Sequence, residues 1–384
     1  MAASRSADRT DNLQAGLAMA SVGFYTSGIG AVLAALAAEF SVRPEDLSWV
    51  GSTYGAGLVL VALAGRFVFV RGPRPALLGS AIVLAIGSLL SVVGGDLAVV
   101  FCGAVLQGVS AAAVILIAPV MLLHDAAVRL TKVNAVSSLV GITAPLLVGA
   151  TMQAGVPGRY AQLVLLPMLA WLIVLLLAHL SSGEPAPHPA RPAGSGRPEL
   201  GTLLRRWLAV FLAVAVEFSY VVWGVSRLAA TGIDTGLAAT LGIAFPVGMA
   251  LGRLVGPQLI RRLPTIPIAV TVAVIGTGAV VVASAWPIVA AGLMVAGLGV
   301  ATMYPVTLAS LMMTGQLGPA RAASAGALAS GAAIVLAPIG LAALATVVDL
   351  RWAFLAPLPM LMVLLLLHRS ESGTSAREPH RQSC

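Results

Sequence analysis

Apolar runs of about twenty residues or more, separated by short polar turns, repeat along the whole chain. They fall near residues 14–36, 48–68, 75–94, 97–122, 133–155 and 160–180, and again near 207–229, 235–257, 264–285, 287–313, 322–346 and 351–368. A helix needs about 20 residues to cross a hydrocarbon core roughly 30 Å thick, so each run is long enough to span a bilayer. The pattern predicts an all-α integral membrane protein with twelve transmembrane helices in two six-helix sets. Between the sets lies SSGEPAPHPARPAGSGRPELGTLLRR, residues 181–206, rich in Pro, Gly, Ser and Arg and without apolar periodicity. It reads as a flexible linker. The expected division is therefore a first bundle over 1–180, the linker over 181–206, a second bundle over 207–368 and a polar tail over 369–384. Residues 1–12 are polar, and the apolar run after them is longer than the core of a cleaved signal peptide, so the first helix is expected to stay in the mature protein.

Composition agrees with the pattern. The 384 residues are 59% hydrophobic and only 9% charged, with a mean hydropathy of +0.99, whereas soluble domains carry about 25% charged residues. Little chain remains for a soluble catalytic domain, and no enzymatic activity is expected. The net charge of +8 comes from residues scattered through the turns rather than gathered on one face, which argues against a nucleic-acid partner. Topology accounts for them better. With the N-terminus placed in the cytoplasm, 18 of the 22 basic residues fall on that side, and Arg43, Arg159, Arg227 and Arg351 fall on the other. That bias predicts both termini inside and an even number of spans, and the expected location is the inner membrane of a bacterial cell. The two cysteines, Cys102 and Cys384, cannot make a disulfide framework or a thiolate metal cluster. His124 and Asp125 are adjacent acids or bases without a third ligand in view, so no metal is assigned. No phosphate-binding GxxxxGK[ST] motif is present, and no cofactor is expected. The partners implied are the lipid bilayer, a small molecule and protons, with the chain acting as a monomer.

The two sets of spans echo each other. GRFVFVRGPRP begins at Gly65 and GRLVGPQLIRR at Gly252, 187 residues later. Pro119 and Pro305 lie 186 residues apart, and Pro145 and Pro338 lie 193 apart. Parallel repeats with a site between them near the midplane are an architecture of secondary transporters.

With these features the chain resembles the major facilitator superfamily of secondary transporters over essentially its whole length. The first Gly-Arg loop is similar to that family's Gly-x-Leu-x-Asp-Arg-x-Gly-Arg-Arg: Gly65, Phe67, Gly72 and Arg74 follow it, while Phe69 and Val70 replace the acid and base. The resemblance implies a gating role for Gly65, Arg66, Gly72 and Arg74, and for Gly252 and Arg253 in the second half. Without the loop acid, Arg66 and Arg74 need another partner, such as Asp125 or lipid headgroups, or else act only as cytoplasmic anchors. VLQGVSAAA, residues 105–113, is similar to the family's Arg-x-x-Gln-Gly pattern, with Ala104 in place of the arginine. GITAPLLVGA, residues 141–150, is similar to an antiporter motif, with Ala144 in place of its first glycine and Val148 in place of a later one. In this superfamily the first, fourth, seventh and tenth helices line the cavity, which nominates Tyr25, Gln107, Glu217 and Tyr304. Tyr54 and Asn134 fall nearer helix ends and are read as structural.

Glu217 is the acid set deepest in an apolar run. It lies ten residues beyond Trp207, or about 15 Å at 1.5 Å per residue, half of a core roughly 30 Å thick. A carboxylate at that depth costs at least a few kcal/mol unless it is protonated, paired or facing water. It is read as a proton or substrate site, against the alternative of a carboxyl hydrogen-bonded to a neighbouring helix. Tyr220, three residues on, shares its face. The function implied is secondary transport of a small organic molecule by proton-coupled efflux. The alternatives are import of a small metabolite and a non-transporting membrane sensor or scaffold.

Overall fold

The computed structural model describes residues 2–68, 72–122, 126–180, 200–260, 264–313 and 319–375. Among these, twelve helical spans are long and apolar enough to cross a membrane. In the first half they are α1 (Thr10–Glu39), α2 (Pro44–Ala64), α3 (Pro73–Val93), α4 (Leu97–Met121), α5 (Lys132–Gln153) and α6 (Gly158–Leu180). In the second half they are α7 (Leu200–Ala229), α8 (Thr235–Gly256), α9 (Thr265–Val282), α10 (Trp286–Met312), α11 (Arg321–Ala345) and α12 (Leu350–Arg369). An even number of crossings puts both ends of the chain on one side, here the terminal face, and the α1–α2 turn on the opposite, distal face.

The helices are longer than the apolar runs. The first extends back to Ala2 and the last runs on to Ser375. α7 begins at Leu200, seven residues before the apolar run and inside the stretch expected to be linker. After Pro198 nothing breaks a helix, and Leu and Arg are good helix formers. The rest of the expected linker, including His188, lies outside the described residues. Two spans start on aspartate caps: Asp96 accepts from the backbone N–H groups of Ala98 and Val99, both at 2.9 Å, and Asp234 from those of Gly236 and Leu237 at 2.8 and 3.2 Å.

α8 and α10 are each interrupted by a two-residue turn, and proline explains both. α8 turns at Gly242 and Ile243, and α10 turns at Ala301 and Thr302. Pro246 and Pro305 each stand four residues beyond the first residue of the break, where the proline ring collides with the carbonyl and offers no N–H to it. Both broken spans pack on α7.

The halves meet most closely towards the distal face. α1 packs on α7, α2 on α11, and α5 on the start of α8. At the α2–α11 crossing a Cβ on Gly55 would stand 2.6 Å from the Gly331 carbonyl oxygen, and one on Gly331 would stand 2.8 Å from Val59 Cγ2. Only glycine fits there. Ser52 Oγ donates to the Val335 carbonyl at 3.2 Å across the same seam, and Gln153 Nε2 donates to Thr240 Oγ1 at 3.1 Å between α5 and α8. The molecule is thus closed on its distal side.

Three of the four distal arginines close helix ends within their own half. Arg159, almost fully buried, donates to the Ser91 carbonyl at 3.1 Å and to that of Gly94 at the end of α3, and pairs with Glu39 at 2.9 Å. Arg351, 192 residues further on, donates to the carbonyls of Val281, at 2.5 Å, and Val282 at the end of α9. Arg227 adds the carbonyls of Val280 at 3.1 Å and Ala283 at 2.5 Å. Helix C-termini leave carbonyls unpaired and carry partial negative charge, so a cation is favoured there. The Arg159 and Arg351 clamps occupy corresponding places in the two halves, a second sign of the repeat.

Candidate functional site

Glu217 projects from the middle of α7 and its side chain is 14% exposed. Its Oε1 faces Arg253 Nη2 of α8 at 3.8 Å, close enough for ion pairing but beyond hydrogen-bond range. Arg253 is 42% exposed, and its Nη1 donates to Ser138 Oγ on α5 at 3.2 Å. One guanidinium therefore joins the carboxylate of the second half to a hydroxyl of the first.

Aromatic rings cover the distal side of this group. Tyr54 of α2 stacks on Phe218 of α7 with ring centroids 6.0 Å apart, and meets Tyr25 of α1 edge-on at 6.1 Å. The Tyr25 hydroxyl lies 3.4 Å from Thr53 Oγ1. All three rings are buried. Tyr54 and Tyr304 are both electrostatic neighbours of Glu217. Tyr304 opens the second piece of α10 beside the α11 residue Ser330, whose buried Oγ has no partner in hydrogen-bond geometry.

The residues nominated from sequence divide. Glu217, Tyr25 and Tyr304 gather at one place, joined by Tyr54. Tyr54, expected nearer a helix end, stands in mid-span because its helix starts several residues earlier, at the Pro44–Leu47 turn. Tyr220 points elsewhere. Its hydroxyl bonds Thr277 Oγ1 of α9 at 2.5 Å and its ring packs on Phe245 and Phe354, deep in the second half. Its spacing from Glu217 allowed a shared face, but packing turned the ring to the other side. Trp223 is fully buried and donates from Nε1 to the Pro338 carbonyl at 3.2 Å. Gln107 belongs to the interior of the first half: Nε2 donates to Gln162 Oε1 at 2.7 Å and Ser88 Oγ at 3.1 Å. With Tyr25, Ser91, Arg159 and Gln162 it lines a cavity of about 20 Å³, room for about one water molecule.

The expected gating residues also divide. Arg74 pairs with Asp11 on the first helix at 3.0 Å, supplying the partner that the missing loop acid left open. Gly72 has φ 93° at the start of α3, a conformation that favours glycine. Gly252 is buried against α10, where a Cβ would stand 2.6 Å from the Leu298 carbonyl oxygen. Gly65 and Arg66 lie in the last turn of the helix that ends at Val68, and their side chains lie outside the described residues, as do Phe69, Val70, His124 and Asp125. Arg253 reaches Glu217, a contact no spacing in the sequence signals because it is made between separate helices. Among the described residues no cluster of three or more His, Cys, Asp or Glu side chains is arranged to hold a metal.

The Major Facilitator Superfamily model matches residues 15–314, and the chain belongs to that family. It is a membrane-embedded transporter of small solutes and not an enzyme. No curated protein sequence matches it. Among solved structures it is similar to the nucleoside transporter NupG, with a TM-score of 0.71 and 11% identity over 94% of this chain and 98% of that one. The human organic anion transporter MFSD10 gives 0.64 and 15% identity over 94% and 99%. The POT family transporter PepTSo gives 0.69 and 12% over 95% and 98%. At these identities the likeness concerns the fold.

Proposed function

We propose that this chain is a proton-coupled secondary transporter of a small organic molecule, working by alternating access with Glu217 as its proton site. The observation that carries this reading is the Glu217–Arg253 pair, at mid-span in α7 and directly beneath the Tyr54–Phe218 contact that joins the halves. A carboxyl that is partly accessible, faces a cation and sits at the seam gains or loses its counter-ion as the halves move. The distal closure supports a conformation loaded from the terminal face.

The 18-to-4 distribution of basic residues supports a cytoplasmic terminal face and the inner membrane as location. One chain encloses the pathway, which supports a monomer. Direction follows from how substrate and proton share the site: exclusion gives exchange and efflux, and joint binding gives cotransport and import. Efflux is the reading drawn from a lone carboxyl; the Arg253 partner favours the second.

The test uses the full chain in liposomes holding a pH-sensitive dye. A panel of small organic molecules is added, and proton movement induced by each is recorded. Glu217→Gln should leave the protein folded and remove every induced proton signal. Normal proton coupling in Glu217→Gln overturns the reading.

A further inference from the structure

The accessible charge at the site is positive, since Arg253 is 42% exposed against 14% for Glu217. A guanidinium carries five N–H donors in a planar fork. One is engaged by Ser138 Oγ at 3.2 Å, while the Glu217 carboxylate stands off at 3.8 Å. Such a fork facing partly open space matches a carboxylate, which it holds with two parallel charge-assisted hydrogen bonds.

Among the described residues, the charged and titratable groups around Glu217 are Arg253 from α8, Tyr54 from α2 and Tyr304 from α10, with Tyr25 of α1 against Tyr54 and the Ser330 hydroxyl of α11 beside Tyr304. A second carboxylate arriving on Arg253 would stand within a few ångström of the first. Two carboxylates sharing a site do not both stay ionised, because each disfavours the charge on the other. An organic cation, by contrast, meets the exposed guanidinium first and is repelled.

We propose that the substrate is a small organic monoanion bearing a carboxylate, anchored by Arg253 and carried together with one proton on Glu217. This rests on Glu217 as the proton site and gives it a sign: substrate recruits the proton instead of displacing it. Anion and proton cancel, so each cycle moves no net charge, and an inward proton gradient drives import.

Benzoate and benzylammonium, which share a ring and differ in charge, serve as probes for the purified full chain in nanodiscs. Calorimetry in two buffers of different ionisation enthalpy reads protons exchanged on binding. Benzoate should bind with uptake of about one proton, and its affinity should fall about tenfold per pH unit once Glu217 ionises in the unliganded protein. Glu217→Gln should keep benzoate binding but lose the proton uptake and the pH dependence. Arg253→Gln should weaken benzoate at least tenfold, and Arg253→Lys, which keeps the charge, should weaken it less. The proposal fails if wild-type protein takes no benzoate at millimolar concentration, or if Arg253→Gln binds it normally. Benzylammonium binding with Glu217-dependent proton release also overturns it, while leaving Glu217 as the proton site. Proton exchange that is unaffected by Glu217→Gln removes both readings.

Discussion

Tyr54 of α2 lies against Phe218 of α7 with ring planes 30° apart, and this contact ties the two halves together one residue from Glu217. Aromatic pairs of this kind contribute about 0.5–1.5 kcal/mol beyond their buried area. Phe218→Ala should therefore weaken distal closure and shift the population about two- to tenfold towards a distal-open state. Spin labels at Asp46 and Asp349, both exposed on the distal face, would report a longer mean distance. An unchanged distribution would show that the rings do not hold the seam.

Gly55→Leu tests the same closure by obstruction. A leucine there meets the Gly331 carbonyl and the α11 backbone, which has no space to yield. The variant should insert and fold, since the clash exists only when the halves are closed distally. Transport should fall at least tenfold, and the distal labels should move apart.

Pro246 and Pro305 are visible in the sequence, but the breaks they make are not, because a proline acts on the carbonyl four residues before it only where the surrounding helix is free to turn. Pro119, Pro145 and Pro338 obey the same rule and yet leave their helices unbroken. Their neighbours decide, and neighbours are not written in spacing. The same limit explains Tyr220. Its spacing placed it beside Glu217, but Phe245, Thr277 and Phe354 arrive from three other segments and turn the ring away. Spans, repeat and the deep carboxyl could be read from the chain because each is a local pattern of polarity. The Glu217–Arg253 pair could not, since it joins residues on two helices whose register is set by the packed bundle.

Pro305→Ala restores an N–H to α10 and should straighten it. A proline inside a helix costs about 3 kcal/mol, so the variant should melt at a higher temperature while transporting more slowly. Scanning calorimetry and initial-rate flux measure the two effects. A variant that is both more stable and fully active would show that the break has no part in transport.

Arg159→Gln should destabilise the protein more than Arg351→Gln. The first takes the ion-pair partner from Glu39, which lies at the surface, and leaves the buried Ser91 and Gly94 carbonyls without their donor, and each buried polar group left unsatisfied costs about 1–3 kcal/mol. The second removes carbonyl contacts at a partly exposed position, where a hydrogen bond to a charged group contributes about 1.5–3 kcal/mol. Thermal unfolding in detergent ranks them. Equal losses would mean that Glu39 adds nothing to the Arg159 clamp.

Ser138→Ala removes the hydroxyl that Arg253 Nη1 reaches across the halves. A loss of about 1.5 kcal/mol, or roughly tenfold in apparent substrate affinity, is expected with maximal rate little changed. A fall in rate alone would place Ser138 outside substrate binding.

The turn in α10 has a consequence for how this protein should be dissected. Because Pro305 has no N–H, the carbonyl oxygen of Ala301 loses the amide donor that an unbroken helix would give it, a few residues from Tyr304 in the middle of the span. That oxygen is a main-chain acceptor at membrane depth, in a residue only 1% exposed. A scan that trims side chains one at a time leaves it in place at every position, so this polar group of the helix bundle would register as background in such a scan and be satisfied again only by replacing Pro305 itself.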